Sequence, residues 1–180
     1  MSPMTDPFDW TLQILGGNSP AWQQAMVCEF STFLAQCTLH DSYWNGLFLT
    51  LNQRAVALLH WDMVWNTLIP KEFDRLAIRF HRVHSLSYET GRVGCEILAD
   101  VETDFLSEAE RTALFDSIPS GLDNQGAQEA YGHLLDEKLT RTRFLNVLGA
   151  KLELIHSPQI RFLCFNQAGE ICSNSFNLDG

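Results

Sequence analysis

The sequence predicts an α+β protein: N-terminal helices, then a mostly antiparallel β-sheet with an inserted helical segment, in one domain over residues 1–180. Three observations carry that expectation. Apolar residues between Trp22 and Cys37 recur at helical spacing. After Ser42 the period falls to two, and alternating runs return as far as Phe165. Between those runs, Ser107 and Glu110 form an S-x-x-E capping box that opens a helical stretch.

Each element has its own signal. Asp6-Pro7 starts a short helix with Phe8, Leu12 and Leu15 on one face, and Gly16-Gly17 stops it. Ser19-Pro20 repeats the start. Trp22, Met26, Phe30, Phe33, Leu34 and Cys37 then mark the clearest amphipathic helix. A stripe of that kind is core more often than a cofactor box. Residues 43–63 read as a hairpin: Leu47, Leu49 and Leu51 alternate with Phe48 and Thr50, "NQR" turns at 52–54, and "AVALLHWDM" returns. Pro70 breaks the next stretch. A strand follows from Arg75, with Leu76, Ile78 and Phe80 inward and Arg75, Arg79 and His81 wet. "VHSLSYETG" leads into a turn at Gly91 and Gly94, and "CEILADVETDF" reads as the next strand. The capped helix ends near Ser117, before Pro119. In 126–148, Ala127, Ala130, Tyr131, Leu134 and Leu135 fit a helix, while "LTRTRF" either extends it or begins a strand. Lys151–His156 and Ile160–Phe165 are strands around Ser157-Pro158, and "NQAGE" turns the chain into a short strand near Ile171.

Composition narrows the function classes. Twelve basic against 22 acidic residues give a formal charge of −10, which disfavours nucleic acid and favours a basic protein partner. Five scattered cysteines contain no C-x-x-C pair, so a zinc ribbon has no support. The first residues, "MSPMTDPFDW", show no secretory pattern, and no apolar run has the length of a membrane span. A reduced, soluble, cytoplasmic protein without membrane partners is the expectation.

Three stretches are similar to a known class. They are "LHDSYWNGLFLTLNQRAVALLHWD", "LAIRFHRVHSLS" and "KLELIHSPQIRFLCFNQAGEI". Together they resemble small β-sheet proteins of the bacterial polymorphic-toxin immunity class, many of which open their first strand with Leu-His-Asp. The resemblance covers about half of the chain and leaves residues 102–148 unmatched. It implies a protein that binds and neutralises a cognate toxin, with no enzyme activity and no cofactor.

His40, Asp41 and Ser42 are the letters of a hydrolase triad, but three consecutive side chains cannot converge on one reacting atom. Their expected role is bonding backbone where helix hands over to sheet. His60 and Asp62 share a strand face, which permits a metal sterically, yet no third ligand sits at a telling spacing. A small enzyme would centre on His60, Asp62 and His81. Between Glu96 and Asp116 stand seven acids and one base, Arg111. That run is either a solvated face or a patch that docks on a basic, nuclease-like toxin and occludes its active site. The expected partner-binding residues are Glu96, Asp100, Glu102, Asp104, Glu108 and Glu110, with Trp44 and Trp65 as exposed anchors. A secretion chaperone, adding an effector segment to a sheet edge, is the alternative.

Overall fold

The computed structural model describes residues 20–50, 53–90, 97–118 and 124–173. The expected helix over 6–15, the turn at Gly91 and Gly94, Pro119 and the polar tail lie outside these residues. A short 3-10 helix, Pro20–Gln24, leads into strand β1 (Met26–Glu29) and helix α1 (Phe30–Gln36). Strands β2 (Tyr43–Thr50), β3 (Arg54–His60), β4 (Arg75–Phe80), β5 (Ser85–Glu89) and β6 (Leu98–Phe105) follow. Helices α2 (Glu108–Asp116), α3 (Asn124–Tyr131) and α4 (His133–Asp136) precede β7 (Thr140–Asn146), β8 (Lys151–His156) and β9 (Gln159–Phe165).

The strands form two sheets, one ordered β1-β9-β4-β3-β2 and one ordered β5-β8-β7-β6, and every pairing is antiparallel. The helices sit mostly after strands, which corrects the expectation of N-terminal helices leading the fold. The predicted helix through Cys37 is interrupted, because Met26–Glu29 instead pairs along Phe162–Gln159. Met26 fits a helical stripe with Trp22 and Phe30, while Met26 and Cys28 fit a period of two, and ladder bonds to β9 decide for the strand. Strand β5 was unforeseen. The sequence reading takes "VHSLSYETG" only as the lead into a turn, and pairing with β8 makes Ser85–Glu89 a strand. The capping box is present as predicted: Ser107 Oγ accepts from the Glu110 amide, and the Glu110 carboxylate accepts from the Ser107 amide. The ambiguous stretch divides into helix up to Asp136 and strand from Thr140.

The two sheets share one long bent hairpin. Phe80 faces Ile160 in the β4–β9 ladder, and Ser85 faces Ile155 in the β5–β8 ladder. Four residues intervene on each side, 81–84 and 156–159, so the register passes the corner without slipping. Arg82 turns there with φ +48, and the His81 carbonyl accepts from the Ser157 amide. A second contact closes the opposite side: Tyr43 bridges to Ile97. The strands thus run around a partly closed barrel in the order β2, β3, β4/β5, β9/β8, β7, β6.

Its interior is mostly apolar, with His156 and Thr142 as a bonded polar pair. Helix α1 lays Phe30 and Phe33 into it, fully buried, against Phe80, Phe144, Trp61 and Phe162. Each such ring contributes about 1.5–3 kcal/mol by burial. On the outer face of the five-stranded sheet, Val56, Leu58, Ala77 and Leu163 are also buried, with Trp22 packed over them. On the outer face of the four-stranded sheet, Leu114, Ile118, Tyr131 and Leu134 pack with Leu106, Leu139 and Ile155.

Candidate protein-binding site

The Leu-His-Asp-Ser stretch is a clamp between the sheets. Leu39 is core, and Asp41 adopts φ +62, a left-handed turn that Asp tolerates. The Asp41 amide donates to Leu98 O, and the Leu98 amide donates to Ser42 O. Ser42 is fully buried, and its Oγ accepts from the Asp62 amide at 3.0 Å. Ser42 therefore does the backbone bonding expected of His40 and Asp41, whose side chains pair with each other at 3.0 Å on the surface. The clamp explains why this motif begins the first long strand: it holds β2 against the start of β6.

The same clamp anchors the loop between β3 and β4. Asn66 is buried and spends its amide three times. It accepts from the Thr38 amide and donates to Thr38 O and Asp62 O. Trp61 donates its indole N–H to Thr38 O, and Asp62 caps the loop by accepting from the Val64 amide. Ile69 fixes the far side in the core. Between these fixed points the loop leaves Val64 69%, Trp65 66% and Leu68 50% exposed. A pinned loop with a bare aromatic is an anchor that loses little freedom on binding.

Beside this loop lies a cleft of about 310 Å³, lined among others by Asp41, His60, Asp62, Lys71 and Asp74. His60 bonds Asp74 at 2.9 Å, and Arg75 lies 3.4 Å from the same carboxylate. His60 faces Arg75 in the ladder, whereas His81 follows Phe80 at the opposite end of β4. The set His60, Asp62 and His81 therefore does not converge. Among the described residues, no group of three or more His, Cys, Asp or Glu is placed to hold a metal.

The predicted acidic patch looks different once folded. Glu96 lies outside the described residues. Glu102 faces Arg143 and Asp104 faces Arg141 across the β6–β7 ladder. Arg141 also bonds Glu110 at 2.5 Å, and Arg143 bonds Glu153 at 2.9 Å. The Arg141 guanidinium, with the capping-box bonds to Ser107, holds the Glu110 carboxyl down at about 2. The count of one base was a property of the segment; two arginines arrive from the next strand and lattice the acids together. Asp100 and Glu108 remain exposed, and Asp100 accepts from the Val101 amide. Trp44 is not an exposed anchor. It sits on the inner side of β2, half-buried, with its ring 4.9 Å from Phe144. Trp65 is exposed as expected.

The sheet corner gathers His81, His84 and His156, of which His156 has no signal in the sequence. His156 is fully buried. Its Nδ1 donates to Ser157 O at 2.6 Å, which leaves Nε2 to accept from Thr142 Oγ1 at 2.7 Å. Burial lowers this imidazole to about 4. Burial does the same to His81, helped by Arg79, Arg54 and Arg161, and to His84, helped by His133. Four described cysteines carry free thiols, and burial raises Cys28 to about 11 and Cys37 to about 12, which leaves them poor nucleophiles. Among the described residues, no helix is long and apolar enough to cross a membrane. In comparisons with known proteins, no family model and no curated sequence matches the chain.

Proposed function

We propose that this protein acts by binding another protein stoichiometrically, as an immunity protein that occludes the active site of a cognate toxin. The observation that carries the reading is the Trp65 loop. Its backbone is tied down by Asn66, Trp61 and Asp62, while Val64, Trp65 and Leu68 stand in solvent. Folding does not need an aromatic there; an interface does. The surrounding net charge of −10 favours a basic partner and speeds encounter with it. The contact centre moves away from the expected residues 96–110, because Glu102, Asp104 and Glu110 already satisfy Arg141 and Arg143.

A second reading, the secretion chaperone, draws on β5. This edge strand exposes Leu86 and Tyr88, and an effector segment could pair along it. Co-purification with the protein encoded by the adjacent gene tests both. Immunity requires a folded toxin domain whose activity disappears at one-to-one stoichiometry, with binding lost in Trp65→Ala. Capture of an extended segment that Trp65→Ala does not disturb supports the chaperone instead.

A further inference from the structure

The arginines of this acidic chain are placed unevenly. Arg75 and Arg82 each meet a carboxylate, and Arg141 and Arg143 each meet three. At the end of the five-stranded sheet away from the Trp65 loop the pattern reverses. Arg79 and Arg161 stand directly opposite each other in the β4–β9 ladder. Arg79 also faces Val56 of β3, and Arg54 lies two residues before Val56 on the same outer face. Opposed residues on a sheet have Cβ atoms about 4.5–5.5 Å apart and diagonal ones about 7–8 Å, so three side chains of this length reach a common point. Arg54 and Arg161 are half-buried, and neither forms an ion pair among the described residues. Like charges set opposite each other destabilise a sheet, so folding does not account for the cluster. Arg79 is its fixed member, 6% exposed, with its guanidinium 4.5 Å from the Trp22 ring. Burial, then the charges of Arg54 and Arg161, press it down to about 10. The same three charges act on His81, which places them in one neighbourhood. Glu29, at this end of β1, stands opposite Gln159 and accepts from Ser31 Oγ.

We propose that Arg54, Arg79 and Arg161 form a binding site for a compact phosphate dianion, free or as the monoester of a small molecule. The forked guanidinium groups of Arg54 and Arg161 match phosphate oxygens in pairs, and Arg79, held under Trp22, adds a charge that needs no rearrangement. A carboxylate would leave two of the three charges unanswered. A long polyanion would run off the site onto a surface of net charge −10. The site lies at the opposite end of β3 and β4 from the loop that joins them, so it and the Trp65 reading fail separately.

Titration of the full chain with inorganic phosphate and with phenyl phosphate tests the proposal, at low salt and at a pH where both carry two charges. Calorimetry gives the stoichiometry, and the arginine Nε–H signals in NMR give the place. Saturable one-to-one binding is expected, with the Arg54 and Arg161 signals moving. Arg54→Gln and Arg161→Gln, at half-exposed positions that leave Arg79 under Trp22, should each weaken phosphate roughly ten-fold, the loss of one charge-assisted contact. Arg143→Gln, on the other sheet, should leave it unchanged. Tighter binding of phenyl phosphate than of phosphate assigns the monoester, and the reverse assigns the free ion. Absence of saturable binding of either probe overturns the proposal. Equal weakening by Arg143→Gln, or unchanged binding in both Arg54→Gln and Arg161→Gln, overturns the location. Acetate binding as tightly as phosphate, or a thymidine oligonucleotide binding more tightly, overturns the ligand class.

Discussion

The two sheets solve the same problem in opposite ways. The five-stranded sheet is buried on both faces at its centre: Ala55, Ala57 and Leu59 of β3 face the barrel interior, and Val56 and Leu58 lie under Trp22. The four-stranded sheet buries one face and covers part of the other with ions, where Arg141 and Arg143 of β7 are flanked by acids of β6 and β8. One sheet draws its stability from area, the other partly from charge pairing near water. Area is worth more, because exposed ion pairs contribute little each. The five-stranded sheet should therefore be the rigid platform, and the four-stranded sheet the part that responds to pH and salt.

Substitutions on the two outer faces would break or sharpen that contrast. Leu58→Ala should cost about 2–5 kcal/mol in urea unfolding, the price of a cavity in a closed face. Glu102→Ala, on the charged face, should cost less than about 1 kcal/mol. Equal costs would show that the outer face of the five-stranded sheet is not a true core. The next largest effect concerns acid. Unfolded imidazoles take up protons near pH 6.5, whereas His81, His84 and His156 in the fold do so only near pH 4. Below pH 6.5 the unfolded chain binds more protons, so stability should fall as pH drops toward 4. Urea midpoints measured across that window check this, and His156→Gln should flatten the profile. Glu110 acts in the same sense but lower down. Its contribution is present above the ordinary carboxyl range and disappears as pH falls toward 2. Arg141→Ala should cost less than about 1 kcal/mol, because its carboxylate partners stay in water, and carboxyl titration by NMR should find Glu110 moved up but still held below its ordinary range by the Ser107 bonds.

That contrast also decides what could be read from the sequence. Strands with one wet face alternate, as in β7, where Thr140, Thr142 and Phe144 are buried while Arg141 and Arg143 stay at the surface. The hairpin of β2 and β3 was legible from its length and turn, although β3 is buried on both faces and shows no period. Strand β1 hides in the helical stripe because Met26 is in phase with Trp22 and Phe30, and only pairing with β9 settles it. The acidic stretch was misjudged for a related reason. Charge counted along the chain omits the arginines that the ladder brings across from β7. Leu-His-Asp-Ser was recognisable as structural because its side chains diverge, but the buried partner, Asn66, gives no local signal. Trp65 could be nominated from sequence. Its exposure could not, since a tryptophan in a loop packs inward or outward with equal ease.

The smallest effect on stability should come from the residue with the largest effect on binding. Trp65→Ala should change unfolding by less than about 0.5 kcal/mol, because about two thirds of the residue already lies in solvent. Its effect on partner affinity should exceed about 2 kcal/mol. Hydrogen–deuterium exchange of the chain, alone and bound to whichever protein co-purifies with it, compares the two candidate faces in one measurement. Protection of residues 62–74 on binding, with 98–110 unchanged, is the predicted result. Protection confined to 98–110, with the Trp65 loop exchanging as in the free protein, would contradict the assignment.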